Sequence, residues 1–278
     1  MENNTQHQQE VKTGERFEFG KNWSKYLRTL TEEHIGYAQT SFAEVLDGYD
    51  LTGKTFLDIG SGSGLSSLVA RRLGGKIYSF DYDPYSVAST RELKKRYFKD
   101  DSDWKIEQGS VLDEQYMQSL GVFDMVYSWG VLHHTGQMWK AIENAIIPVK
   151  PGGLFFLAIY NDQGKKSRRW TSVKKLYCSG FAGRCLVKAF WLPYFYGVSF
   201  LIDVIKLRNP FTQYKEYKKQ RGMSVYHDHI DWLGGYPFEV ASPEAIFHFL
   251  KERSFTLANM TTTNTRGCNQ FVFQKKAV

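Results

Sequence analysis

The feature that most constrains this chain is a short apolar segment that ends in three closely spaced glycines. Residues 56–59 have the apolar composition of a buried strand, and residues 60–64 read Gly-Ser-Gly-Ser-Gly. Glycines let the backbone turn tightly and approach a ligand closely. A helical pattern follows through Leu73, and the free N–H groups at the beginning of a helix suit a carboxylate or a phosphate. The segment therefore predicts a strand, a ligand-binding turn and a helix.

The spacing of these glycines narrows the class of ligand. A dinucleotide fingerprint would place its third glycine at position 65, where this chain has Leu65, and the third glycine comes one residue early, at Gly64. No phosphate-loop lysine follows the glycines, because residues 65–67 are Leu-Ser-Ser. The missing dinucleotide glycine argues against a nicotinamide-dependent oxidoreductase.

Strand-like and helix-like segments alternate through much of the chain. Such alternation favours a parallel sheet covered by helices on both faces. Residues up to about 50 read as helical, and a helix is predicted over 243–251, with Ser242 as its N-cap and Pro243 in its first turn. The predicted strands lie near residues 56–59, 76–80, 104–108, 123–128, 154–159, 255–260 and 271–274.

Composition excludes several other classes of protein. The chain has 278 residues, 42% hydrophobic and 16% aromatic, which is too apolar for a disordered chain and enough for a sizeable core. Its three cysteines are odd in number and lack metal-ligand spacing, so reduced thiols in a cytoplasmic protein are expected. The polar, glutamine-rich start carries no secretion signal. Residues 1–15 are predicted to be a flexible tail, and residues 16–278 a single domain.

The positive charge is concentrated in one segment. The formal net charge of the chain is +7, but residues 161–221 alone carry 14 Lys and Arg against three acidic residues, a net charge of +11. This segment belongs to a long insertion, 161–240, that interrupts the alternation of strands and helices. Ligands of open parallel sheets bind at the carboxyl ends of the strands. The insertion is therefore predicted to be a lid or substrate subdomain over that edge.

The glycine segment resembles the first motif of the class I S-adenosylmethionine-dependent methyltransferases, in which an acidic residue precedes Gly-x-Gly-x-Gly. The chain is similar to the bacterial quinone-biosynthesis-type small-molecule methyltransferases over about residues 56–159. The matching segments follow in the family's order: Asp58 with Gly60, Gly62 and Gly64; Asp81 after the second strand; Gly-Ser-Val-Leu-Asp at 109–113 after the third; Phe-Asp-Met-Val-Tyr-Ser at 123–128 as the fourth; and Val-Lys-Pro-Gly-Gly at 149–153 before the fifth.

The resemblance implies a Rossmann-like doubly wound α/β sheet, mostly parallel with an antiparallel last strand, behind an amino-terminal helical cap. It implies S-adenosylmethionine as the methyl donor and S-adenosylhomocysteine as the product. In the family's pattern Asp58 and the glycines hold the methionine part, Asp81 the ribose, and Ser110 or Asp113 the adenine. The residues that the resemblance assigns to the cofactor are Trp23, Asp58, Gly60, Ser61, Gly62, Gly64, Asp81, Tyr82, Ser110, Val111, Asp113, Ser128 and Trp129.

Purely structural roles stay open for several of these residues. Asp113 can cap a helix, and Ser110 can be an ordinary polar loop residue. Trp23 and its neighbour Asn22 can pack between the first helices instead of forming a wall of the cofactor pocket. The residue types alone do not decide between these roles.

The candidate catalytic residues come from two segments. A hydroxyl acceptor has to be held in line with the methyl group, and its proton needs a base with a pKa near the working pH. Histidine suits that role. The loop after the fourth strand, which carries a histidine in similar methyltransferases, contains His133 and His134, with His134 the better match. In the insertion, His227 and Asp231 are further acceptor-site candidates, and no metal is expected there.

An uncharged stretch of 14 residues, 189–202, lies within the insertion and is shorter than the about 20 residues needed to cross a bilayer. Three interpretations stay open: a lid helix packed on the sheet, a segment lying on a membrane surface, and a nucleic-acid-binding surface. Basic residues flank the stretch, so 184–208 is the candidate for peripheral membrane contact. These residues are Arg184, Lys188, Lys206 and Arg208.

The sequence as a whole predicts a methyltransferase acting on a small-molecule or lipid-linked acceptor, with transfer to oxygen favoured. An RNA methyltransferase is the alternative, because basic residues interleaved with aromatic ones suit RNA. A cofactor-binding protein without catalysis is a second. The Pro-Pro-Tyr type of motif for base amines is absent at 128–131, which reads Ser-Trp-Gly-Val, and the chain has no Pro-Cys dipeptide. Nucleic acid is thus the less favoured partner, and a cytoplasmic location, at most peripheral at the inner membrane surface, is expected.

Overall fold

The structure is a computed structural model that describes residues 2–207, 209, 225–265 and 267–277, apart from the side chains of residues 2–4 and 227. The described helices are α1 (Glu2–Thr13), α2 (Phe19–Tyr26), α3 (Glu32–Leu46), α4 (Leu65–Arg72), α5 (Pro84–Tyr97), α6 (Glu114–Ser119), α7 (Met138–Ala145), α8 (Lys165–Cys178), α9 (Phe181–Ile205), α10 (Val225–Gly234) and α11 (Pro243–Lys251). The strands are β1 (Thr55–Ile59), β2 (Lys76–Asp81), β3 (Trp104–Gln108), β4 (Phe123–Trp129), β5 (Val149–Tyr160), β6 (Phe255–Thr261) and β7 (Cys268–Lys275).

The seven strands form one sheet in the order β3-β2-β1-β4-β5-β7-β6. Strands β1 to β5 pair in parallel, and β7 pairs antiparallel with both β5 and β6. The predicted Rossmann-like fold, with an antiparallel last strand, is confirmed. The chain winds outward from β1 in both directions, so a crevice opens beyond the carboxyl ends of β1 and β4, where such sheets bind ligands.

The core lies on the two faces of the sheet, because successive side chains of a strand point to opposite faces. Leu57 belongs to a buried cluster that includes residues of α7 and α11, such as Ile142 and Leu250. Its neighbour Phe56 belongs to the other cluster, with residues of α3 and α4. Both layers fix β1 in place, and β1 carries the glycine turn at its end.

The amino-terminal residues differ from the expected flexible tail. Residues 2–13 form α1, and the His7 side chain is only 2% exposed. Its ring lies edge-on to the Tyr82 ring at 5.4 Å, and its Nε2 is 3.5 Å from Asp83 Oδ2. The polar composition of this segment gave no signal for burial, because the residues that cover it come from distant strand ends.

The insertion leaves the sheet after β5 and returns beside it. Asn161 and Ala241, at its two ends, form an isolated parallel bridge. Helices α8, α9 and α10 pack on one another through a separate apolar cluster that includes Tyr177, Phe195 and Leu233. Part of the predicted lid, residues 210–224, lies outside the described residues.

A chain of buried hydrogen bonds crosses the sheet behind the glycine turn. Trp104 Nε1, on β3, donates to Ser79 Oγ at 2.9 Å, and Ser79 Oγ lies 2.6 Å from Ser67 Oγ. Ser67 Oγ in turn donates to Asp58 Oδ2. Three strands and α4 thus hold one carboxylate in place.

We expect Ser79→Ala to lower the free energy of unfolding by about 1–3 kcal/mol, because it leaves the buried indole N–H of Trp104 without an acceptor. Urea denaturation measures the loss. Ser102→Ala, at an exposed turn, is the matched control and leaves stability unchanged. Equal stability of Ser79→Ala and the wild-type protein would contradict the role of this chain of hydrogen bonds.

Candidate active site

A cavity of about 1420 Å³ opens at the carboxyl ends of β1, β2 and β4. Pockets for single drug-sized ligands are about 300–1,000 Å³, so this one has room for two reactants. Residues of α1, α2, α10 and the strand ends contribute to its wall. The sequence-predicted residues on this wall are Trp23, Asp58, Gly60, Ser61, Gly62, Asp81, Tyr82, Ser110, Val111, Asp113, Trp129, His134 and Asp231.

The glycine turn needs glycine for two physical reasons. Gly60, Gly62 and Gly64 have φ of +76°, +56° and +82°, in the left-handed region that other residues rarely adopt. A Cβ at Gly60 would also clash with the side chain of Val131. Gly64 lies behind the cavity wall as the N-cap of α4, where a Cβ would meet Thr90 at 2.9 Å. Gly60 and Gly62 therefore form the floor of the cavity, and Gly64 shapes the turn.

Two carboxylates flank this floor. Asp58 is 2% exposed, and burial raises its pKa to about 7 against the opposing hydrogen bond from Ser67. Asp81 Oδ2 accepts from Gly62 N at 2.9 Å, and its Oδ1 accepts from Asp83 N at 2.8 Å. Burial, with the nearby charge of Asp83, raises the pKa of Asp81 to about 6. Both carboxylates lie in an environment that a positively charged or hydroxyl-donating ligand would stabilise.

The loop after β3 forms the next part of the wall. Ser110 Oγ accepts from Leu112 N at 3.2 Å, and Asp113 Oδ1 accepts from Tyr116 N at 3.0 Å as the N-cap of α6. Both residues also line the cavity. The helix-capping role that the sequence left open for Asp113 is present together with its place on the wall.

Ser128 does not lie on the cavity wall. Its buried hydroxyl donates to the carbonyl oxygen of Ile59 at 3.3 Å, and its neighbours Tyr127 and Trp129 line the cavity instead. Side chains alternate along a strand, so only one of two adjacent residues at the end of β4 can face the ligand. The sequence pattern did not fix which of the two it is.

His134 lines the cavity, whereas His133 does not. His134 Nδ1 lies 2.6 Å from the carbonyl oxygen of Pro237. Since a carbonyl only accepts, Nδ1 carries the proton and Nε2 keeps its lone pair. Burial lowers the pKa of His134 to about 3, so the ring is neutral at physiological pH. His133 is fully buried beside Tyr160, whose backbone N–H donates to His133 Nδ1 at 3.3 Å.

Asp231 is the acidic candidate that the insertion brings into the cavity. Asn22 Nδ2 donates to Asp231 Oδ1 at 2.8 Å, which joins α2 to α10. Burial raises the pKa of Asp231 to about 8. Behind it, the ammonium group of Lys174 donates to the carbonyl oxygen of Trp232, and burial lowers the pKa of Lys174 to about 7. The side chain of His227 lies outside the described part of the chain.

Sequence reasoning missed the contribution of α1 and the segment that follows it. His7, Glu10 and Arg16 line the cavity. Arg16 Nε donates to Glu10 Oε2 at 2.6 Å, and its Nη1 donates to the carbonyl oxygen of His134 at 3.0 Å. The Tyr82 hydroxyl donates to Glu10 Oε1 at 3.2 Å. No motif marks these residues, because their roles arise only when α1 lies across the strand ends.

Within the described ranges, no group of three or more His, Cys, Asp or Glu side chains is arranged to hold a metal ion. The chemistry of the wall is instead that of buried carboxylates, a neutral imidazole and aromatic rings.

A family model described as a methyltransferase domain matches residues 50–222, which is more than half of the chain. The chain is 28% identical over 136 residues to the ubiquinone biosynthesis O-methyltransferase of Methylobacterium sp. (strain 4-46), covering 49% of this chain and 50% of that protein. It is 43% identical over 54 residues to the ribosomal protein L11 methyltransferase of Photobacterium profundum, covering 19% of this chain and 18% of that protein. The chain thus spans half or less of the length of these relatives.

Solved structures with the same fold include the magnesium protoporphyrin IX methyltransferase of Synechocystis PCC 6803 with bound SAH. Its TM-score is 0.54 at 13% identity, over 92% of this chain and 94% of that one. A putative methyltransferase of Haloferax volcanii, in complex with the Trm112 activator, gives a TM-score of 0.53 at 14% identity, over 94% of this chain and 99% of that one. At these identities the likeness is one of fold.

We expect Asp231→Asn to stabilise the ligand-free protein at pH 8. The folded state, with the pKa of Asp231 near 8, holds a proton that the unfolded chain releases above about pH 4. The wild-type protein therefore loses stability as pH rises through this window, and the amide removes the loss. Thermal unfolding should give a Tm for Asp231→Asn higher by about 2–4 °C or more at pH 8. The two proteins should have the same Tm near pH 4. A variant less stable than the wild-type protein at pH 8 would contradict the burial of this carboxyl.

Proposed function

This chain belongs to the class I S-adenosylmethionine-dependent methyltransferases, and we propose that it methylates a hydroxyl oxygen of a small-molecule or lipid-linked acceptor. The observation that carries the proposal is the presence of Asp231 and His134 in the same cavity as the glycine turn. The cofactor floor and the proton-handling groups come from different parts of the chain, and the cavity brings them together.

The residues present fit S-adenosylmethionine. The raised pKa values of Asp58 and Asp81 reflect carboxylates buried without an ion-pair partner among the described residues. A cationic amino-acid end at the glycine turn and ribose hydroxyls at Asp81 would supply the missing partners. Gly62 approaches the Trp23 ring so closely that a Cβ there would lie 3.2 Å from Trp23 Nε1. The loop of residues 109–113 would hold the adenine.

The bound cofactor supplies a methyl group already activated for attack, so the chain's own residues have to hold and deprotonate the acceptor. In the proposed reaction the acceptor oxygen forms a bond to the methyl carbon, the carbon–sulfur bond breaks, and the hydroxyl proton goes to a base. S-adenosylhomocysteine is the product.

Asp231 is better suited than His134 to be that base. General bases work best when their pKa is near the operating pH, and the pKa of Asp231 is about 8, against about 3 for His134. His134 instead offers the lone pair of Nε2 as a fixed hydrogen-bond acceptor, since Nδ1 is held by Pro237. We assign proton acceptance to Asp231 and orientation of the acceptor hydroxyl to His134.

The wall around these two groups suits an apolar or aromatic acceptor. Phe19, Tyr160 and Trp232 line the cavity, and the Phe19 ring lies 4.8 Å from the ring of His134. Aromatic walls with a few polar groups are typical of small-molecule sites. The proposed location of the protein is the cytoplasm, including the inner membrane surface when the acceptor is lipid-linked.

We expect Asp81→Ala to weaken binding of S-adenosylhomocysteine by about 10- to 100-fold, because it removes a charged hydrogen-bond acceptor. Titration calorimetry measures this directly. Glu107→Ala, exposed on β3 outside the cavity, is the control and should bind as the wild-type protein does. Failure of the wild-type protein to bind this compound or its methylated form, together with uptake of another nucleotide, would overturn the cofactor assignment.

Incubation with radiolabelled S-adenosylmethionine and separate small-molecule, lipid and RNA extracts tests the acceptor class. We expect label in a small-molecule or lipid fraction. In that fraction kcat/KM should rise with pH and level off above about pH 8, because the base has to be deprotonated. Asp231→Asn should lose about 100-fold or more in kcat and the pH dependence with it.

His134→Gln serves as the comparison in this assay, because it can keep a hydrogen-bond acceptor at the same place. It should raise KM for the acceptor and retain the pH profile. Label that enters only RNA would contradict the proposed acceptor. A break in the wild-type profile that is lost in His134→Gln but retained in Asp231→Asn would exchange the two roles.

A further inference from the structure

Helix α9 exposes an unusually large apolar surface for a helix of an α/β enzyme. Among the described residues it is the helix long and apolar enough to cross a membrane by length and composition, and only 11% of its most apolar window is buried. Isolated exposed apolar residues are ordinary, but a contiguous patch marks a contact surface. The exposed members of this surface, here called the α9 face, are Phe181, Leu186, Phe190, Tyr194, Val198, Phe200, Leu201, Ile202, Val204 and Ile205.

One side of α9 is fixed to the rest of the insertion, so the helix does not project freely. Val187 and Phe195 are buried. The Trp191 ring lies 4.6 Å from that of Trp170 on α8, and the Phe195 ring lies 4.8 Å from that of His229 on α10. A helix held along its flank in this way presents its other side to the surroundings.

The charges around the α9 face are almost all positive. Helices α8 and α9 together contain one acidic residue, Asp203, and its side chain is only 2% exposed. The exposed basic residues of the two helices are Lys165, Lys166, Arg168, Arg169, Lys175 and Arg184, and Lys206 is exposed at the end of α9. An apolar strip bordered by exposed cations complements the surface of an anionic bilayer, which attracts basic residues and accepts apolar side chains at its headgroup boundary.

Two other occupants fit these observations less well. A second copy of the chain would bring two such basic arrays together, and like charges across an interface oppose association. A membrane-spanning arrangement is opposed by Arg184 and Lys188 in the first turns of α9 and by the packing of Val187 and Phe195 on the insertion. The flank that packs on α8 and α10 would have to separate from them before lipid could surround the helix.

We propose that the α9 face docks the protein on the surface of an anionic phospholipid bilayer, with the helix parallel to the membrane. The docking goes beyond the proposed function and does not depend on it. Because α10 lies between α9 and the cavity, with His229 contacting Phe195 on one side and lining the cavity on the other, the bilayer surface would lie one helix away from the acceptor site.

Vesicle flotation tests the proposal with the full-length protein. We expect binding to vesicles of phosphatidylcholine with about one part in four phosphatidylglycerol, weaker binding to phosphatidylcholine alone, and loss of most of the difference at high salt. Leu201→Gln with Ile205→Gln should weaken binding about tenfold or more, since it removes apolar side chains from the contact. Val122→Gln, at another exposed apolar residue far from α9 in sequence, is the matched control and should bind as the wild-type protein does.

The charge contribution is tested separately. Arg184→Glu with Lys206→Glu should weaken binding to the anionic vesicles by about tenfold or more and leave binding to phosphatidylcholine nearly unchanged. Lys99→Glu, exposed on the sheet domain, is its control. An environment-sensitive fluorophore on Cys185, which is exposed on α9, should shift to shorter wavelength with anionic vesicles in a Cys268→Ser background.

Calorimetry with S-adenosylhomocysteine on each variant separates docking from the cofactor site. A protein that binds this compound normally but does not float with anionic vesicles at low salt would overturn the docking proposal and leave the proposed function intact. Self-association that disappears in Leu201→Gln with Ile205→Gln, without vesicle binding, would also overturn it, since the α9 face would then be a contact between copies. Vesicle binding by a protein that ignores the cofactor would support docking and contradict the methyl-transfer assignment.

Discussion

The desolvation of two neighbouring carboxylates is the constraint on which this site depends. Asp58 and Asp81 end adjacent parallel strands, and the sheet has to supply hydrogen bonds that hold them there. Asp58 receives its bond through Ser67 and the serine–tryptophan chain behind it. Asp81 receives its bonds from the backbone N–H groups of Gly62 and Asp83. The glycine turn is thus shaped by the acid that it faces as well as by the ligand that the acid awaits.

Local chemistry decided how much could be predicted from the sequence. The glycine turn could be recognised because left-handed φ values restrict residue type, and helix α11 because Ser242 and Pro243 mark its beginning. The roles of adjacent residues at strand ends could not be separated: Ser128 and His133 are buried, whereas Trp129 and His134 line the cavity. Helix α1 escaped prediction entirely, because its partners Tyr82 and Asp83 are distant in sequence.

The insertion combines two physical roles that composition alone could not apportion. Its inner helix α10 brings Asp231 against Asn22 and raises the pKa of that carboxyl by burial. Its outer helix α9 leaves apolar side chains uncovered beside basic ones. The sequence already placed the positive charge in this segment, but only the packing of α8, α9 and α10 separates the side that faces the cavity from the side that faces outward.

The two ends of the insertion meet at a single point. Ala241 N donates to the carbonyl oxygen of Tyr160 at 3.0 Å, and Asp162 N donates to that of Ala241 at 3.2 Å. The chain therefore departs from the sheet and rejoins it through one clamp, and loop length between clamped ends costs little free energy. Evolution can exchange the whole excursion for another without retuning the strands, which makes the clamp a natural junction for transplanting acceptor specificity between proteins built on this sheet.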